Sequence, residues 1–161
     1  MIMEILTSQN PQLRKASKPV AKITRDIRLL VENMEETLRT APGVGLAAPQ
    51  VGELLRIIIA DIGEGLHVII NPKIVKKGGK QTFVEGCLSL PGIEAPVERS
   101  SEVLVRGMDM SGKKVEVSAQ GLLATVFQHE IDHLDGKLFI DRVSDPNLIT
   151  YKPKTPKEEA I

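Results

Sequence analysis

The stretch Gln128–Gly136, QHEIDHLDG, sets the strongest constraint on how this chain can fold. It closes a longer segment, GLLATVFQHEIDHLDG from Gly121, in which apolar residues recur at helical spacing and Gly136 is a suitable stop. At about 100° of rotation per residue, His133 lies ~40° and Glu130 ~100° around the axis from His129. Leu122, Leu123, Val126, Phe127, Ile131 and Leu134 share that arc. Thr125, Gln128, Asp132 and Asp135 take the rest, and both aspartates are expected as solvated charges, with a supporting role behind a site as the alternative. The helix must therefore pack with two imidazoles and a carboxylate facing the core. Each such group left without a partner costs about 1–3 kcal/mol, so the fold has to supply partners. One ion would satisfy both imidazoles. H-E-x-x-H on a helix offers two nitrogens on one face to a zinc-like cation, with the glutamate placed to exchange a proton with water there. The competing reading is an exposed helix with two unrelated histidines, which their inward placement weighs against.

A tetrahedral catalytic site takes three protein ligands and keeps one position open, and no histidine follows His133. The soft donor without another explanation is Cys87, in EGCLS. As the chain's single cysteine it forms no internal disulfide, and an inert buried thiol or a reactive thiol stand beside ligation as readings. With the two histidines it makes a coherent set for zinc or ferrous iron.

The rest of the chain reads as scaffold around that helix. From Thr24, a plausible N-cap, Ile27, Leu30, Val31, Met34 and Leu38 form one helical face, and Pro42 lies beyond its end. APGVGLAAPQVG follows, too irregular for either period and too apolar for a linker, so it is expected as a loop that exposes its backbone. Strands are expected at Arg56 to Asp61, at Leu66 to Asn71 and around Thr82 to Val84, with EVLVRG and KVEVSA as a hairpin about DMSGK. The fold class is α+β, with mostly antiparallel sheets packed around a central metal-binding helix. Residues 1–143 are expected to form one catalytic domain, since 161 residues favour a single core. Residues 144–161 lose periodicity and gain proline and lysine, which predicts a short non-helical tail, extended, partly disordered or packed as an arm on the sheet.

Composition excludes several functions. The 21 basic and 21 acidic residues leave no field that would steer the protein to nucleic acid, so no direct DNA binding is expected. Phe83, Phe127, Phe139 and Tyr151 are the only aromatics, too few for a base-stacking platform. RIIIADI and HVIINP are too short to span a bilayer, and Glu4 stands where a signal peptide needs an apolar core, so no membrane and a cytoplasmic location are expected.

Three stretches in this order, GVGLAAPQ (Gly43–Gln50), EGCLS (Glu85–Ser89) and QHEIDHLDG (Gln128–Gly136), resemble the peptide deformylase family, over roughly residues 4 to 143. The resemblance implies a metal-dependent hydrolase that removes the N-formyl group from the initiator methionine of nascent polypeptides and releases formate. It makes Cys87, His129 and His133 the metal ligands, with Fe2+ as the physiological ion and Zn2+, Ni2+ or Co2+ able to substitute. Affinity order alone would favour zinc; iron comes from the resemblance. Glu130 would take a proton from the activated water and pass it to the leaving nitrogen. The Gln50 amide and the Leu88 N–H would donate to the formyl oxygen as it becomes negative. Gly45 would let the backbone approach the peptide, Gly86 joins the substrate-binding set, and Val44, Leu122, Thr125 and Val126 would wall the methionine pocket.

The implied partners are N-formyl-methionyl peptides and the ribosome exit region, with the protein a monomer. Two departures from the family stand out. Glu94 lies near the place where some members carry an arginine that helps hold the peptide, and the tail lacks the terminal helix of many bacterial members. A tail of this kind also fits compact viral or organelle-associated members. A zincin-type endopeptidase and a metal or redox sensor built on Cys87 are the rival functions. Glu85 and Arg99 flank the Cys87 loop, either as an ion pair that fixes it or as two solvated charges.

Overall fold

The computed structural model describes residues 1–151. Helix α1, Arg25–Thr40, begins as its sequence predicts, with the Thr24 hydroxyl accepting from the Ile27 N–H and Asp26 in the first turn. Leu30, Val31, Met34 and Leu38 are its buried stripe. Strands β1 (Gly45–Ala47), β2 (Ile57–Ala60), β3 (His67–Gly78), β6 (Glu102–Met108) and β7 (Lys114–Gln120) form an antiparallel five-stranded sheet in the order β1-β2-β3-β6-β7. Strands β4 (Gln81–Cys87), β5 (Leu90–Arg99) and β8 (Thr150–Tyr151) form a smaller antiparallel one. Helix α2, Gly121–Leu134, completes the α+β fold.

The period-two rule sorts the β2 side chains between the helices. Ile58 joins Phe127, Ile131 and Leu134 of α2, while Ile57 and Ile59 join Leu30, Val31 and Met34 of α1. The strand is buried on both faces, which is why IIIA reads as a continuous apolar run. Burying one such side chain contributes about 1.5–3 kcal/mol, so this stack fixes α2 against the sheet. The β6–β7 hairpin forms as expected, with Val105 opposite Val117. Its turn is held by the Asp109 carboxylate accepting from the N–H groups of Ser111 and Lys113.

Three strands differ from their sequence-based expectation: within APGVGLAAPQVG, expected as an irregular loop, Gly45–Ala47 is strand β1, because its exposed backbone pairs with Ile58 to Ala60 of β2. Strand β3 does not end at Asn71 but continues to Gly78 through a register shift against β6. Asn71 takes φ 54°, and its amide bonds both the Val20 N–H and the Val20 carbonyl, so Asn-Pro marks a bulge here rather than a turn. Strand β5 is disguised in the sequence by Pro91, Gly92 and Pro96, but pairs with β4 from Leu90 to Arg99. At the far end of α2, a Cβ on Gly136 would come within 2.5 Å of the Arg14 carbonyl oxygen, and the residue's φ is 72°, so the stop must be glycine.

Beyond α2, Leu138 and Phe139 pack with Cys87, Leu90, Ala95 and Val97 under the small sheet. The chain makes two 3-10 turns there, Phe139–Arg142 and Pro146–Leu148, and β8 pairs with β5 at Ile93 and Glu94. The remainder of the expected tail, 152–161, lies outside the described residues. Among the described residues no helix is long and apolar enough to cross a membrane.

Candidate metal centre

Helix α2 delivers His129, Glu130 and His133 to the interior, with exposures of 2%, 0% and 1%. Strand β4 delivers Cys87, fully buried, at its last residue. Their candidate ligand atoms, one each from Cys87, His129 and His133, all lie within 4.8 Å of one another. The Cys87 Sγ is 3.3 Å from the His133 Nε2, and the two imidazole centroids are 5.1 Å apart. The upstream cysteine and the two helix histidines thus meet.

Polar satisfaction shows what this cluster is built to hold. His129 Nδ1 is fixed by the Glu85 carboxylate at 2.8 Å, yet its Nε2 is buried with no hydrogen-bond partner. His133 Nδ1 and both Glu130 oxygens are also buried and unpartnered. Orphaned donors and acceptors are rare in a folded interior. A thiol and two imidazoles converging beside them match a borderline transition-metal ion, and the carboxylate bonded to His129 is the support that metal-binding histidines usually carry.

The electrostatics agree. Without an ion, burial would push the His129 pKa down, but the charge of Glu130, the neighbouring Cys87 sulfur and the bond to Glu85 raise it to about 10. Burial, together with the charge of His129, pushes His133 well below its usual range. Burial also raises Glu130 to about 7, against the opposing attraction of His129. The pocket therefore favours one positive charge at its centre, which a proton supplies only in place of a metal.

Gln50 comes from the short 3-10 turn Ala48–Val51, fully buried. The Ala47 N–H holds its Oε1 at 2.9 Å, which leaves Nε2 directed at the Ser89 hydroxyl (3.1 Å) and the Cys87 Sγ (3.6 Å). Leu88 sits in the two-residue turn between β4 and β5, next to buried Gly86 and Cys87. Gly45 lies so close to α2 that a Cβ there would be 2.5 Å from the Glu130 Oε2 and 2.9 Å from Val126. Only glycine leaves that carboxylate free. Val44 and the partly exposed Leu122 line a shared cavity of about 470 Å³ together with Gly43 and Ile62. Val126 is buried beside Gly45, and Thr125, also buried, accepts a hydrogen bond from Gln81.

The aspartates separate. Asp135 is exposed, as expected, and pairs with Arg56 at 3.0 Å. Asp132 is not a solvated charge: it is buried, taking bonds from Arg99 Nη1 (2.9 Å) and from Arg142 Nε and Nη2 (3.0 and 2.8 Å). The same helical rotation gives the reason, because it places Asp132 only ~60° from His129, nearer than Glu130. Glu85 and Arg99 form a buried ion pair through two bonds of 2.7 and 3.1 Å, not two solvated charges. A continuous chain results, Arg142–Asp132–Arg99–Glu85–His129. Burial works to raise the Glu85 and Asp132 carboxyls, but the bonds from His129 and Arg99 to the first, and from Arg142 and Arg99 to the second, hold both below their ordinary values. Ser89 and Arg142 were not singled out by the sequence. Arg99 carried a signal, since it continues the inward alternation of Ala95 and Val97 along β5.

Comparison with known proteins agrees with this geometry. The family model described as Polypeptide deformylase matches residues 2–148. The peptide deformylase of Halothermothrix orenii is 51% identical over 144 residues, covering 88% of this chain and 94% of that protein. That of Hydrogenovibrio crunogenus is 49% identical over 161 residues, covering 98% and 95%. Among solved structures, the Thermotoga maritima peptide deformylase superimposes with a TM-score of 0.87 at 42% identity, covering 90% of this chain and 99% of the other. The Legionella pneumophila peptide deformylase gives 0.87 at 44%, covering 89% and 87%.

Proposed function

From the premise that this chain belongs to the peptide deformylase family, whose members remove the formyl group from N-terminal methionine, we propose that Cys87, His129 and His133 hold a ferrous ion and that Glu130, Gln50 and Leu88 carry out the hydrolysis beside it. Zn2+, Ni2+ or Co2+ would fit the same donors. When bound, the ion supplies Lewis acidity toward water and the formyl oxygen.

The chain's own residues do the rest. Glu130, buried and without a partner, takes the proton of the attacking water and returns it to the methionine nitrogen as the C–N bond breaks, so that formate and a free amine leave. Gln50 has its amide oxygen tied to Ala47, which leaves its N–H groups turned toward the cluster as a donor to the developing oxyanion. The Leu88 backbone N–H is the second donor. Gly45 admits the peptide backbone close to Glu130, and Gly86, next to Cys87 in β4, joins the substrate-binding set. Val44, Leu122, Thr125 and Val126 wall the methionine side chain. The family match over residues 2–148 supports a catalytic unit of residues 1–143, with 144–161 as a tail. The resemblance supports work on nascent chains near the ribosome exit region, by a cytoplasmic monomer.

The observation that carries this reading is the convergence of three ligand atoms beside an unpaired buried glutamate. Its test is an anaerobic assay of iron-loaded protein on formyl-Met-Ala-Ser, with the unformylated peptide as control. Formate release from the first and no cleavage of the second is expected. Cleavage of internal peptide bonds would instead favour an endopeptidase.

A further inference from the structure

A second cavity, of about 290 Å³, opens beside β3, β5 and α2, and none of Cys87, His129, Glu130 and His133 lines it. Its wall sets Lys77, Lys80, Arg99 and Arg142 against Glu98 and Asp132, and with Glu85 paired to Arg99 behind the wall four cations meet three carboxylates. Lys80 reaches Glu98 loosely, at 3.8 Å, and Lys77 has no ion pair among the described residues. Arg99, 4% exposed, spends three of its five N–H donors on Glu85 and Asp132, while Arg142 spends two of its five on Asp132. Both guanidinium groups therefore keep free donors in a partly enclosed space that carries an excess of positive charge.

We propose that this cavity binds inorganic phosphate or a small phosphate monoester as the dianion. The fork of each guanidinium matches adjacent phosphate oxygens, while the two lysines, neither held by a close carboxylate, act as flexible point charges that a dianion can draw in. The volume lies at the small end for ligand pockets, about 300–1,000 Å³, which admits a phosphate with a short substituent. The anion binds without breaking the Arg99–Glu85 pair, because the donors it needs are the unused ones.

The test titrates the metal-loaded protein with inorganic phosphate at constant ionic strength, followed by calorimetry and amide shifts. Saturable binding with shifts centred on Lys77, Lys80 and Ser100 is expected. Lys77→Gln with Lys80→Gln, both exposed positions, weakens it about tenfold or more. Deformylation in phosphate-free buffer stays unchanged in that variant, and Lys77→Arg with Lys80→Arg keeps the affinity. Ribose 5-phosphate binds like phosphate, and dimethyl phosphate, a monoanion, binds far more weakly. Binding that does not saturate, that survives the double glutamine variant, or that treats dimethyl phosphate as an equal overturns the proposal.

Discussion

The two flanks of α2 handle buried polarity in opposite ways. Toward Cys87 and Gly45, His129 Nε2, His133 Nδ1 and both Glu130 oxygens have no hydrogen-bond partner. Toward β5, Asp132 and Glu85 are matched by Arg99, Arg142 and His129 with several bonds apiece. The matched flank orients the groups on the other, since Glu85 fixes the ring whose far nitrogen is left free. Reactive atoms can stay unsatisfied because the residues behind them are not.

Removing an atom from the open flank costs activity rather than stability. Glu130→Ala lowers kcat by about 10²–10⁴-fold, while thermal melting of the metal-free protein shows no loss of stability, because the deleted carboxylate had no partner. Gln50→Ala lowers kcat by about 10²–10³-fold with KM little changed; an effect confined to KM would deny the amide its role in the transition state.

On the closed flank the effects reverse. Glu85→Gln weakens metal affinity by about 10–100-fold, the usual cost of disturbing a ligand's support, read by chelator competition. A double-mutant cycle on Glu85 and Arg99 should show strong coupling, whereas additive losses would mean the pair does not act as a unit.

Acid and base separate the flanks again. Glu85 and Asp132 are held below their ordinary values, so the stability they contribute is complete at neutral pH and is lost as pH falls through the depressed folded values. Asp132→Asn flattens that acid limb. Glu130 has the opposite sign in the metal-free protein: raised from 4.5 to about 7, it costs stability as pH rises across that window, and Glu130→Gln removes the loss. Urea melts of both variants against pH measure the two slopes.

Much of this architecture is legible in the amino-acid sequence. The apolar periods of α1 and α2, the β6–β7 hairpin and the inward side of the histidines follow from spacing alone. What escapes a sequence reading does so for physical reasons. The prolines of β5 hide a strand whose pairing tolerates them, and Asn71-Pro72 reads as the end of a strand because a bulge within one uses the same residues. Asp132 reads as solvated because sequence shows a charge but not the two arginines, from β5 and from beyond α2, that make its burial tolerable. Pairing across 33 residues is a property of the fold, not of any window in the chain.

The central claim is that Cys87, His129 and His133 converge as the ligands of one metal ion, with Glu130 beside them and not among them. The most direct measurement is the absorption spectrum of the cobalt-loaded protein. A thiolate-to-cobalt charge-transfer band that disappears in Cys87→Ser and persists in Glu130→Gln is the predicted result. A cobalt spectrum without that band, or one that Cys87→Ser leaves unchanged, would contradict the account.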